Sequence, residues 1–179
     1  MKGIVFTEFL ELVEEKFGLE MVDKIISQSQ LESEGAYTAI GTYSFSEMLQ
    51  LLDNLSKNTG LSVDDLLLTY AEHFFGVLSK SYPGLINSYD DPIEFLGSVE
   101  NHIHVEVKKI YPDAELPTFD ILLKTKDKIK MVYKSSRAMY MFGLGLINKT
   151  FEHFNSSGTT KYEKLKEDGT EVLFIITKN

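Results

Sequence analysis

Tyr133-Lys134-Ser135-Ser136-Arg137 reads Y-x-S-x-R, and it falls where one local pattern gives way to another. Upstream, Ile129, Met131, Tyr133 and Ser135 alternate as in a strand; downstream the apolar spacing turns helical. Alternate residues of a strand share a face, so Tyr133, Ser135 and Arg137 project together if the strand runs that far. They offer a phenol hydroxyl, a small hydroxyl and a guanidinium fork, with no negative charge. Arg grips one carboxylate through two parallel N–H bonds, and the hydroxyls donate to further oxygens. A ligand with two neighbouring carboxylates is a natural match. Alone the motif is weak, since a strand end with a surface Arg reads the same way.

Around this stretch, residues 119–124 and 129–135 read as two strands about a Lys126-Asp127-Lys128 turn. A helix over 137–154 follows, then a hairpin of 160–167 and 170–177 about Asp168-Gly169. Before residue 117 every periodic segment reads as helix. Phe6, Phe9, Leu10, Val13 and Phe17 form one apolar stripe ended by Gly18. A short helix carries Met21, Val22, Ile25 and Ile26, and residues 30–43 read as a loop. Ser44 with Glu47 has the spacing of a capping box for a helix ending near Gly60. Ser62 and Asp65 open a strongly apolar helix that stops before Tyr82-Pro83. Asp91-Pro92 starts a long helix that Tyr111-Pro112 ends. The fold class is α+β: a helical N-terminal lobe over about 1–60, and an α/β lobe over about 61–179 with a four-stranded antiparallel sheet and helices, in one domain.

Composition narrows the function. A net charge of −9 leaves no basic stripe for phosphates, which argues against nucleic acid. With no cysteine there is no disulfide and no thiolate metal ligand. No apolar run is long enough to span a membrane. Glu8, Glu11, Glu14 and Glu15 follow the N-terminus too closely for a signal peptide, so the expected location is cytoplasmic.

No G-x-S-x-G, P-loop or H-E-x-x-H motif is present, so hydrolase chemistry has little support. His102 and His104 are two apart on one helix and cannot share a metal by i, i+4 spacing. Each lies about 100° from the stripe of Leu96, Val99, Ile103, Val107 and Ile110, so periodicity does not choose between them. His73 and His153 read as ordinary surface or core residues. Twelve Phe and nine Tyr, with no Trp, fill a core or line a flat apolar pocket.

In order and spacing the whole chain resembles the H-NOX family, haem nitric oxide/oxygen-binding domains related to the haem domain of soluble guanylate cyclase. Met1-Lys2-Gly3 matches the family's M-x-G opening. Ile103-His104-Val105-Glu106-Val107 looks like its proximal histidine segment, and Leu116-Pro117 like the proline at the haem edge. Y-x-S-x-R follows about thirty residues after His104, and Gly143-Leu144-Gly145-Leu146-Ile147 resembles the segment beyond it. The resemblance implies haem b buried between the two lobes, with His104 as axial iron ligand and Tyr133, Ser135 and Arg137 as propionate clamp. It implies that Pro117 and Val5 press on the macrocycle from opposite sides. Oxygen-binding members carry a Tyr, a Trp and an Asn on the distal side; the matching positions here are Phe142, Phe9 and Phe74, beside Leu78 and Leu146. Tyr140 lies about 200° around the helix from Phe142 and should point away, whereas Tyr70 lies one turn before Phe74.

Loss of a hydrogen bond to a charged group costs about 1.5–3 kcal/mol, or about one to two decades of affinity. The resemblance thus implies a gas sensor, not an enzyme, that binds nitric oxide at ferrous haem, binds CO more weakly and excludes oxygen. Its implied output is release of His104 and relaxation of the haem, read in trans by a histidine kinase or a cyclic-di-GMP enzyme. A haem peroxidase needs a polar distal acid or base, which these positions lack. The alternative is a haem carrier or a haem-free interaction module of the same fold.

Overall fold

The computed structural model describes all residues from Met1 to Asn179. The chain forms two compact units, Met1–Phe74 and Phe75–Asn179. The division falls inside helix α4, which runs Val63–Ser81. It thus lies beyond Gly60, near which the sequence reading set its lobe boundary.

The first unit contains α1 (Gly3–Phe17), α2 (Leu19–Ser27) and α3 (Phe45–Thr59) ahead of α4. The apolar face of α1 buries Phe6, Phe9, Leu12 and Val13, while Phe17 emerges at its end. Gly18 turns the chain out of α1 at a φ of 85°, which a side chain would resist. The expected capping box at α3 is only half made. Ser44 accepts the Ser46 N–H, but Glu47 turns away from the cap. Its buried carboxylate instead accepts the Ser33 hydroxyl and backbone N–H and, at 2.6 Å, the Tyr37 hydroxyl. A buried carboxylate needs such partners, and these pin the loop between α2 and α3. Tyr37 stacks on Phe6 at 4.4 Å, and Tyr43 closes edge-on against both.

Gly3 explains the M-x-G opening physically. Its N–H donates to Gly41 O at 2.8 Å, the next N–H donates to Ala39 O, and Lys2 bridges to Thr42. The backbone passes so close that a Cβ on Gly3 would lie 1.8 Å from Thr38 O.

In the second unit the region expected as one helix over 92–110 is broken. It comprises α6 (Pro92–Gly97), a π-helical turn (Val99–Ile103) and α7 (His104–Ile110), preceded by a short α5 (Pro83–Ile86) that the sequence reading lacks. The expected strands and last helix are present: β1 (Thr118–Lys124), β2 (Lys128–Lys134), α8 (Tyr140–His153), β3 (Gly158–Lys164) and β4 (Glu171–Lys178). They form one antiparallel sheet in the order β1-β2-β4-β3. Ile129, Met131 and Tyr133 pair with Ile176, Phe174 and Val172, and all six are buried on one face. Helices α6 and α8 pack with each other, α6 also against β1 and β2, and α8 against β3.

Asp91 caps α6: one oxygen accepts the N–H groups of Ile93 and Glu94 at 2.8 and 3.2 Å, and the other pairs with Lys178. Burial pushes its carboxyl pKa up, but the Lys178 ion pair and the two amides outweigh that and hold it below the ordinary value. The folded pKa is therefore below the unfolded one. The resulting stability is present above the unfolded pKa and lost as pH falls through the folded pKa.

Two outcomes follow for stability. Gly3→Ala should destabilise the protein by more than about 2 kcal/mol, because backbone cannot yield as a side-chain tip can, and thermal melts will show it. Asp91→Asn, which can still cap, should lower the melting temperature at pH 7. The gap to the parent should narrow as pH falls below about 4.

Candidate functional site

The Y-x-S-x-R residues come together, though by a different device from the one expected. Strand β2 ends at Lys134, so strand alternation does not carry to Arg137. A turn gathers the three instead. The Ser135 N–H donates to Thr170 O at 2.9 Å, and Ser135 Oγ accepts the Arg137 N–H at 3.2 Å. Ala138 leaves the turn at a φ of 51°, uncommon for a residue with a side chain. The Tyr133 oxygen accepts from the Ser135 hydroxyl and the Met139 N–H, with the Arg137 charge nearby. Burial raises the Tyr133 pKa against these opposing interactions, so the phenol keeps its proton and can donate it.

Arg137 already shows what its fork fits. Nη1 donates to the Glu115 carbonyl at 2.7 Å and Nη2 to the Glu115 carboxylate at 2.6 Å. The guanidinium is largely buried, whereas the Glu115 side chain is 84% exposed. Exchanging so exposed a carboxylate for one carried by a ligand costs little.

The four histidines separate by their partners. His73 faces Glu8 at 3.3 Å, His102 Nδ1 meets the Tyr89 hydroxyl at 2.6 Å, and His153 packs on Phe75 and Phe154. His104 is the first residue of α7, directly after the π turn, and its N–H bonds back to Val99 O. Its Nδ1 lies 3.4 Å from Glu100 Oε2, which leaves Nε2 as the nitrogen open to a metal. Burial lowers its pKa, with Lys108 adding to this and Glu100 opposing it. The imidazole is therefore neutral at pH 7, the form that binds metals.

Phe119 joins this histidine to the clamp, its ring centroid 5.8 Å from those of both His104 and Tyr133. Pro117 lies two residues earlier, half-buried just ahead of β1. No group of three or more His, Asp or Glu converges as a metal cage. A lone neutral imidazole suits an iron that brings its own ring of ligands, not a bare ion. A carboxylate-binding turn one aromatic ring away suits a macrocycle with acidic side chains. The residues fit haem.

The residues expected to line the distal side fall in both units. In the first, the Tyr70 ring lies edge-on between Phe9 and Phe74, at 5.3 and 5.8 Å. Tyr70 is fully buried, and its hydroxyl donates to Val5 O at 2.6 Å. A phenol has one proton, and this one is committed to backbone. In the second unit Phe142 and Leu146, one turn apart on α8, share a helix face and are half-buried, as is Leu78 on α4. Tyr140 packs against Tyr162 of β3 at 5.5 Å, with the Lys164 ammonium over its ring. Sequence reasoning missed Glu100, Phe119 and Glu115. The i, i+4 spacing of Glu100 and His104 could have flagged the first; nothing local signals the others.

The comparisons with known proteins agree with this geometry. A family model described as Haem-NO-binding matches residues 2–161. The crystal structure of the Fe(II) unliganded H-NOX protein from K. algicida is similar over 100% of this chain and 97% of its own, with 74% identity and a TM-score of 0.98. An H-NOX from Shewanella woodyi, solved in the Fe(II)CO state with IWP-051 bound, is 34% identical with a TM-score of 0.85, covering 100% of this chain and 95% of its own. An H-NOX protein from S. oneidensis in the Fe(II)NO state shares the fold at 20% identity and a TM-score of 0.90, over 100% and 99% of the two chains. No curated protein matches the chain. With a histidine, a carboxylate-gripping turn and a family match over nearly its whole length, this chain belongs to the H-NOX, or haem-NO-binding, family.

Proposed function

We propose that the chain is a sensor that binds nitric oxide at ferrous haem b, binds CO more weakly, excludes oxygen and passes the signal to a separate protein. When bound, the haem would supply a ferrous iron able to take an imidazole and a diatomic gas. His104 would hold the iron through Nε2. Tyr133, Ser135 and Arg137 would donate to the propionates, and Pro117 and Val5 are the residues expected against the macrocycle. Phe9, Phe74, Leu78, Phe142 and Leu146 are the residues expected on the gas side, and none of their side chains carries a hydrogen-bond donor.

The observation that carries the selectivity is the fate of the hydroxyl on the ring packed between Phe9 and Phe74. Tyr70 spends its proton on Val5 O, and Phe9, Phe74 and Phe142 have none to give. Bound oxygen draws negative charge and gains from a donor; nitric oxide binds ferrous haem tightly without one. The reported states of relatives are in keeping with this reading, since those proteins were solved with Fe(II) unliganded, with CO and with NO. His104 is the output element. While engaged it holds the π turn and α7 in one setting; once released, that segment is free to adopt another. The reader of that change is a cytoplasmic partner such as a histidine kinase or a cyclic-di-GMP enzyme.

The first test is the absorption spectrum of the reduced protein, in air and then with nitric oxide. The spectrum should stay unchanged in air and shift fully with nitric oxide, and His104→Gly should abolish the unliganded spectrum. A spectrum that shifts stably in air would defeat oxygen exclusion. A chain that takes up no haem would instead be an interaction module. A protein that takes up haem but loses it to an acceptor, with no change in α7 on adding nitric oxide, would be a carrier. Phe142→Tyr restores a donor and should tighten oxygen binding by about one to two decades, read by oxygen titration of the reduced protein.

A further inference from the structure

Glu100 stands between two elements and touches both. It lies on the π turn, four residues before His104, and its Oε2 is 3.4 Å from His104 Nδ1. The same oxygen accepts the backbone N–H of Phe119 at 3.0 Å, which anchors it to β1. The Phe119 ring meets the His104 ring at 5.8 Å, so carboxylate, imidazole and phenyl form a closed set of three. The Glu100 side chain is 36% exposed and would rotate freely without the Phe119 amide to fix it. The backbone is adapted to the same end. In the π turn the His104 N–H reaches Val99 O, five residues back, and such turns recur at functional sites.

We infer that Glu100 is a positioning residue for the sensor histidine: it holds His104 as the Nδ1–H tautomer, turns Nε2 outward as the ligating lone pair, and strengthens that nitrogen as a donor. An imidazole whose second nitrogen donates to a carboxylate is a better ligand, and removing such a partner commonly weakens metal binding about tenfold or more. In a sensor whose output is release of the histidine, Glu100 then sets how readily release occurs. It supplies a pull that favours the engaged state, and the Phe119 amide keeps that pull aimed. The inference rests on the proposed role of His104 as iron ligand.

Glu100→Gln tests it, since the amide oxygen can still accept from Phe119 while the charge is lost. Two readouts apply, with circular dichroism to check that the fold is kept. In the haem-loaded, reduced protein, the iron–histidine stretching band should move to lower wavenumber. The equilibrium for His104 release on adding nitric oxide should shift about tenfold toward release. In the full chain without haem, nitrogen-15 chemical shifts should show His104 as the Nδ1–H tautomer in the parent, and as a mixture weighted to Nε2–H in a second variant, Glu100→Leu, which removes the acceptor altogether. Folded variants that keep the parent's stretching band and tautomer would overturn the inference. A chain that binds no haem would end the sensor reading, yet the tautomer measurement would still decide for or against Glu100.

Discussion

The antiparallel ladder of β2 on β4 is the constraint from which the second unit takes its form. It pairs Met131 with Phe174 and Tyr133 with Val172, so the buried face of both strands is set by one register. A slip of one residue would turn Tyr133 outward. The ladder also sets where β2 stops. Beyond Lys134 the chain leaves the strand but remains tied to the other side through Ser135 N–H and Thr170 O. The carboxylate-gripping turn is therefore built on a rigid strand end, and Tyr133 reaches it from the core. Phe119, opposite Tyr133 on β1, extends the same register toward His104.

Much of this was legible in the sequence because the signals were local. Strand alternation, the Asp168-Gly169 hairpin, Gly18 and Gly60 at helix ends and Asp91-Pro92 at a helix start each depend on a few adjacent residues, and each appears where it should. The misreadings have a different cause. Glu47 had capping spacing but found better partners in Ser33 and Tyr37, brought close only by the folded loop. The helix expected over 92–110 kept its apolar spacing, yet the chain widened into a π turn between Gly97 and His104. Residues 98–103 contain no Gly or Pro, so composition gave no warning there.

The candidate site was legible in part. Y-x-S-x-R could be read as a candidate carboxylate-binding set from its functional groups alone, whereas nothing local told the surroundings of His104 from those of His102. That difference depends on which ring meets Tyr89 and which meets Glu100 and Phe119, a matter of tertiary placement. Arg137 and Glu115 lie too far apart in sequence for their pairing to be read from local spacing. It follows from the end of β2 and the start of β1 being neighbours in the ladder.

The Tyr70 hydroxyl has a consequence for polarity. Having given its proton to Val5 O, the oxygen turns only lone pairs toward anything else that approaches. Burial also raises the Tyr70 pKa far above its ordinary value, with the Glu8 charge acting in the same direction, so the phenol stays un-ionised. A residue that looks like a donor in the sequence is therefore, toward any further group, an acceptor only.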